Sequence, residues 1–323
     1  MIWWEPIALL PLAYVLLYVE RRMLSPAGGF DTMDAVLKGV AHRPNQYRLL
    51  VPWLCWLLRL SPSGMSVHRL GDDAPHHHNR FLLVNPGRHY CGWLNSFDVW
   101  SILKGVALWL GLCSFYIYLG ALGLNQWYGI VALALIMVPT FLYDYICCYW
   151  EMFFFGLFLS LMFGGGPLWG MAVIATVSAL NRESTVVLLP VYFFTTYDFP
   201  GSVIVGGSLV VGLLIPRLIY GFGAKGPLPW VVTRYILKEM RDSYARGQEI
   251  IFNRFNLGFV SYICYFLLAF LSYGSIPGYF RPIVVVMAVF MICILLPGDI
   301  RETRMFLPVT FAAVPSWLWL TGG

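Results

Sequence analysis

The chain has 323 residues, of which 59% are hydrophobic, 17% aromatic and only 11% charged, and its mean hydropathy is +0.71. Soluble domains carry about 25% charged residues, so most of this chain has no water to face. That excludes a soluble globule, a disordered tail, a coiled coil, a nucleic-acid-binding domain and a disulfide-stapled secreted module.

What remains is an all-α, polytopic transmembrane bundle forming a single integral membrane domain over residues 1–323. With about 20 apolar residues needed to cross a bilayer, spans are predicted at 6–19, 99–122, 128–148, 152–164, 168–180, 184–198, 202–220, 257–273, 282–297 and 304–320, about nine to eleven in all. The first reads as a span because it lacks a basic leader region and a small-residue cleavage site. Residues 152–164 and 168–180, joined by Gly164, Gly165, Gly166 and Pro167, read either as two thin spans or as one re-entrant hairpin.

Two polar regions interrupt the apolar pattern. The first, 20–98, is an extramembrane loop containing a short apolar stretch, Tyr47 to Leu60, expected to be a re-entrant or partly embedded helix. The second, 221–256, places Val232, Tyr235, Ile236, Met240 and Tyr244 at helical spacing opposite Arg234, Lys238, Arg241 and Asp242, the pattern of an interfacial helix. Cys113, Cys147, Cys148, Cys264 and Cys293 lie in apolar runs and are expected to pack as small hydrophobes, leaving Cys55 and Cys91 near polar sequence.

On this map 20 of the 21 Lys and Arg and 14 of the 16 acids fall on the side opposite the N-terminus. The positive-inside rule alone makes that side cytoplasmic. A functional reading makes it the face of an anion-binding site, because the charges gather in motifs at helix ends. These are Asp31 and Asp34 in GGFDTMD, Tyr47 and Arg48 in QYRLLVPWL, Asp144 and Glu151 in YDYICCYWE, Arg182 and Glu183 in ALNREST, and Arg301, Glu302 and Arg304 in GDIRETRMFLP. Holding an Arg-Glu doublet near a bilayer costs a few kcal/mol unless it pairs, hydrates or meets a ligand.

The order of these motifs resembles polytopic glycosyltransferases of the GT-C superfamily. The resemblance implies a polyprenyl-phosphate-linked sugar donor, a lipid or glycan acceptor, membrane lipids as surroundings and no nucleic acid. It implies Asp31 as general base with Asp34 as the alternative, and Arg48, Arg182, Arg301 and Arg304 as ligands of the donor phosphate. Tyr47, Glu183 and Glu302 would orient these groups, and Asp144 and Glu151 would bind sugar hydroxyls. Such transfer needs a carboxylate to take the acceptor's proton and cations to stabilise the departing phosphate, for which arginine's fork is suited. The resemblance also puts the catalytic face outside the cytoplasm, against the positive-inside count; long loops translocate largely regardless of charge.

No cofactor is implied. Asp72, Asp73 and His76 to His78 have the composition of a divalent-metal site, but three adjacent histidines fix no geometry, and a solvated loop is the expectation. Lys104 is expected to snorkel toward the interface. Arg217, after Pro216, either caps a kinked helix or lines a donor groove. The rival functions are a lipid or polysaccharide transporter, which would need charge or broken helices at membrane depth, and a non-catalytic assembly component. A transferase using a nucleotide-activated donor from the cytoplasm would want a Gly-rich phosphate loop, which this sequence lacks.

Overall fold

The computed structural model of the chain describes residues 5–23, 50, 54, 96–137, 146–220, 264, 266–295 and 307–322. Every regular element among them is helical: α1 (Glu5–Met23), α2 (Ser96–Ala121), α3 (Gln126–Met137), α4 (Ile146–Phe163), α5 (Leu168–Asn181), a 3-10 turn (Glu183–Val187), α6 (Leu188–Thr196), α7 (Phe199–Tyr220), α8 (Arg281–Leu295) and α9 (Thr310–Thr321). Among the described residues two stretches are long and apolar enough to cross a membrane, Leu103–Ala121 in α2 and Phe199–Ile219 in α7. More than half of the first is buried against little more than a quarter of the second. α2 is therefore central, and α7 turns Val203, Ile204, Val210, Val211 and Leu218 outward.

Close backbone approach at small residues organises the bundle. α2 and α4 run parallel: Gly111 packs against Tyr149 O and Met152, and further along both helices Ser114 packs against Gly156, its carbonyl accepting from Ser160 Oγ at 3.3 Å. A side chain on Gly156 would run into Ser114, including its backbone carbon at 2.9 Å. α5 and α7 also run parallel, with Thr176 Oγ1 donating to Ser208 O at 3.2 Å and, further along, Gly212 packed against Ala179 and the Thr176 carbonyl. α1 lies antiparallel to α2, since Trp109 Nε1 donates to Pro6 O at 2.8 Å while Leu17 packs on Gly105. Tyr118, fully buried, donates to Phe311 O at 2.7 Å and ties α9 to the centre.

These pairings make successive helices alternate in direction. The turns at 122–125, 164–167, 197–198 and 272–280 lie at one end, where Phe280 packs on Trp319 at 4.6 Å and on Phe163 at 6.1 Å. The opposite end gathers the C-termini of α1, α3, α5, α7 and α8 and the N-termini of α2, α4 and α9. The helix ends that bound 24–95, 138–145 and 296–306 therefore share one end of the bundle. We call it the polar end.

Several boundaries differ from the hydropathy reading. α4 begins at Ile146, six residues before the expected 152, because Cys148, Tyr149 and the paired Glu151 continue the helix instead of breaking it. Of the expected 128–148 span the structure describes α3 as far as Met137 and the first residues of α4, and 138–145 lie outside the described residues. The 184–198 span is divided into a 3-10 turn and α6, whose Pro190 sits in the first turn, where a missing N–H is tolerated. α4 and α5 form two antiparallel helices about the Gly164–Pro167 turn, with Gly165 in the left-handed region. Cys113 and Cys148 are buried as expected, whereas Cys264 and Cys293 are exposed. The interfacial helix of 221–256 and, apart from Leu50 and Leu54, the 47–60 stretch lie outside the described residues, as do Cys55, Cys91 and Cys147's side chain.

Replacing Gly156 or Gly212 by leucine should overpack the α2–α4 or α5–α7 seam and destabilise the protein by about 1–3 kcal/mol. Gly207, with open space beside it, should accept leucine without loss. Thermal melting of the three variants in one detergent compares them directly.

Candidate functional site

The chemistry-bearing residues that the structure describes meet where α4 passes the end of α5. Cys148 and Glu151 are three residues apart and so share one face of α4. α5 ends at Asn181 because Arg182 adopts extended backbone (φ −159°, ψ 143°), its N–H still closing the last turn onto Ser178 O at 2.9 Å. The chain resumes at once as the 3-10 turn, and Thr185 Oγ1 donates to Arg182 O at 2.7 Å, which pins the bend.

From this bend the Arg182 guanidinium forms an ion pair with Glu151, Nη1 donating to Oε2, and the same nitrogen reaches Cys148 Sγ at 3.5 Å. The Ser184 hydroxyl donates to the other carboxylate oxygen, Glu151 Oε1. Glu151 has 0% of its surface exposed and Arg182 4%. Burying either charge alone would be prohibitive; pairing them with a hydroxyl on the second oxygen satisfies the carboxylate on both sides. The result is a strongly dipolar unit that lies five residues, or about 7.5 Å, along α4 from Ile146.

Of the residues singled out from sequence, Glu151 and Arg182 are brought into direct contact, and Glu183 follows on the 3-10 turn, partly buried. Asp31, Asp34, Tyr47, Arg48, Asp144, Arg301, Glu302 and Arg304 lie outside the described residues, although the helix ends flanking them are at the polar end. Ser184, Thr185 and Cys148 were not anticipated as parts of the site. The signal was present: two hydroxyl residues directly after an Arg-Glu doublet, and a cysteine three before Glu151.

Lys104 differs from its expected snorkelling posture. It is buried, with Nζ 5.9 Å from the centre of the Tyr149 ring on α4. Arg217 Nη1 donates to Leu213 O at 2.6 Å, within its own helix one residue after Pro216. Among the described residues no three His, Cys, Asp or Glu side chains come together as metal ligands; Asp72, Asp73 and His76 to His78 lie outside them. No protein family, curated protein or solved structure matches the chain.

Glu151→Gln removes the charge that balances a buried guanidinium, and Arg182→Met leaves a buried carboxylate. Each should cost about 3–5 kcal/mol, seen as a large drop in melting temperature in lipid nanodiscs. Ser184→Ala, which removes a single donor to a charged group, should cost about 1.5–3 kcal/mol.

Proposed function

We propose that this protein is a multi-pass integral membrane glycosyltransferase of GT-C type, which moves a sugar from a polyprenyl-phosphate donor to an acceptor hydroxyl at the membrane surface. The observation that carries the reading is the one-ended arrangement: the buried Arg182–Glu151–Ser184 unit faces the same end as the helix termini flanking Asp31, Arg48, Arg301 and Arg304. The two long apolar helices support a membrane setting.

In the proposed reaction Asp31, or Asp34 in its place, takes the proton of the acceptor hydroxyl as that oxygen bonds to the sugar's anomeric carbon. The bond from that carbon to the phosphate oxygen breaks, and the departing phosphate takes the electron pair. Arg182 meets the developing charge, with Arg48, Arg301 and Arg304 as further ligands, and preorganised donors in a water-poor site are worth most at that moment. Because both oxygens of Glu151 are engaged, its part is to orient Arg182 rather than to bind sugar. Glu183 and Glu302 serve the neighbouring arginines, Asp144 remains for sugar hydroxyls, and Tyr47 positions the first loop. In this reading the polar end faces away from the cytoplasm, and the transfer step requires no cofactor.

Transport of a lipid or polysaccharide is the second reading, and one observation favours it: the break between α5 and α6 puts a charged pair below the surface, as in broken-helix transporters. The two readings separate in a purified system, since a transferase releases polyprenyl phosphate and a transporter only moves its cargo between leaflets.

Asp31→Asn and Arg304→Ala should each lower transfer from a polyprenyl-phosphate sugar at least a hundredfold; full activity in both would remove the mechanism. Cysteines at Asp34 and Asp299 should react with a membrane-impermeant maleimide from one side of the membrane, and cysteines at Gly123 and Gly165 from the other. Labelling of Asp34 and Asp299 from opposite sides would dissolve the shared face.

A further inference from the structure

Among the described residues seven tryptophans and tyrosines are exposed. Two of them, Tyr14 and Tyr18, lie along α1. The other five, Trp127, Tyr128, Trp169, Tyr197 and Tyr279, stand inside or within three residues of the turns that close one end of the bundle. They come from four separate turns, so the fold and not the sequence gathers them. Side chains of this kind, apolar in the body and polar at the tip, concentrate at the headgroup level of a bilayer. Charged groups stand in the same turns and satisfy backbone there: Asp198 accepts from the Gly201 amide, and Arg281 Nε donates to Ile276 O at 3.1 Å.

On the bundle side of these aromatic residues, the helices they adjoin turn aliphatic side chains outward. Leu135 in α3, Val173 in α5, Val210 in α7 and Val289 in α8 are each more than half exposed. A protein partner seated on the turns alone would leave these four helix faces uncovered. A bilayer with its boundary at the aromatic layer covers both the rings and the faces below them.

We infer that Trp127, Tyr128, Trp169, Tyr197 and Tyr279 mark one boundary of the bilayer, and that the Arg182–Glu151 pair consequently lies inside its hydrocarbon layer. The depth follows from helix rise. Glu151 is 12 residues from Phe163 along α4, about 18 Å, and Arg182 is 14 residues from Leu168 along α5, about 21 Å. Tilt only shortens these distances along the membrane normal. In a hydrocarbon layer about 30 Å thick the pair is therefore at least about 9 Å short of the opposite boundary. α5, with 14 residues, does not cross that layer; it stops within it, at the bend that aims Arg182 at Glu151. The inference rests on the membrane setting of the proposed function and not on its transfer chemistry.

α7 offers a reporter at the level of the pair. Thr176 meets Ser208 and Ala179 meets Gly212, which brings Arg182 level with Leu214 and Ile215. Leu214 is 38% exposed. The test places p-acetylphenylalanine singly at Trp169, Tyr197, Val210 or Leu214 of the full chain, all exposed positions, and couples a ketone-reactive nitroxide to it, leaving the native cysteines in place. In phosphatidylcholine nanodiscs, collision of the nitroxide with oxygen and with a water-soluble nickel complex measures its depth. Labels at Trp169 and Tyr197 should read the headgroup level. Val210 and Leu214 should both read hydrocarbon, with nickel collisions at least tenfold fewer than at Trp169. Free nickel access at Trp169 and Tyr197, as in bulk water, would overturn the boundary, and so would shielding of both from oxygen and nickel together, which would mean a protein partner on that end. A headgroup reading at Leu214 would overturn the buried depth of the pair. Nickel access at all four positions would remove the membrane setting itself. None of these readouts depends on sugar transfer, so a protein that places its labels as expected and transfers nothing would retain this inference and lose the transferase reading.

Discussion

A guanidinium and a carboxylate shut away from water set the terms for the polar end of this bundle. Arg182 and Glu151 come from different helices, and neither charge is tolerable there without the other. Their pairing requires α5 to stop where it does, requires extended backbone at Arg182, and requires α4 to run past the bend with Cys148 and Glu151 on one face. The 3-10 turn follows from the same constraint, since it returns Ser184 to the second carboxylate oxygen. An interaction that meets all these conditions fixes the direction of the guanidinium more firmly than a surface salt bridge, whose long side chains would remain mobile.

The remainder of the fold holds that unit still. The α2–α4 seam is built on Gly111, Ser114, Gly156 and Ser160, so the two helices approach at backbone distance and α4 cannot rotate Glu151 away from α5. The α5–α7 seam, with Thr176 against Ser208 and Gly212, does the same for Arg182. The opposite end is closed by aromatic contacts among Phe163, Phe280 and Trp319 and by short turns. That end has Asp198 in a capping role, its carboxylate accepting from Tyr192 and from the Gly201 amide. Among the described residues the buried ion pair thus lies toward one end of the bundle, and the aromatic contacts and short turns close the other.

Much of this was legible in the sequence because hydropathy reports burial along a helix well. α5 was placed almost to the residue by Gly164 to Pro167 at its start and by Asn181-Arg182-Glu183 at its end, and the alternation of spans follows from counting them. Glu151 was misread as an end of a helix because a scale of single residues scores a carboxylate as polar wherever it stands. It does not see that an arginine 31 residues on will neutralise it. The same blindness hides Lys104, expected to snorkel toward the interface, which is buried with its Nζ 5.9 Å from the centre of the Tyr149 ring on α4. Small residues at the seams carry no hydropathy signal either, although their spacing is what lets α2 and α4 meet.

The central claim is that the Arg182–Glu151 unit is kept for its chemistry and not for stability alone. The double variant Glu151→Leu with Arg182→Leu separates the two, because it leaves neither half of the pair buried without the other, and similar pairs elsewhere are replaced by apolar residues at little or no cost. In nanodiscs supplied with a polyprenyl-phosphate sugar and acceptor, the double variant should melt close to the wild-type temperature and transfer no sugar above background. A double variant that is equally stable and transfers at the wild-type rate would show the pair to be a packing element, and the account of the site would have to be abandoned.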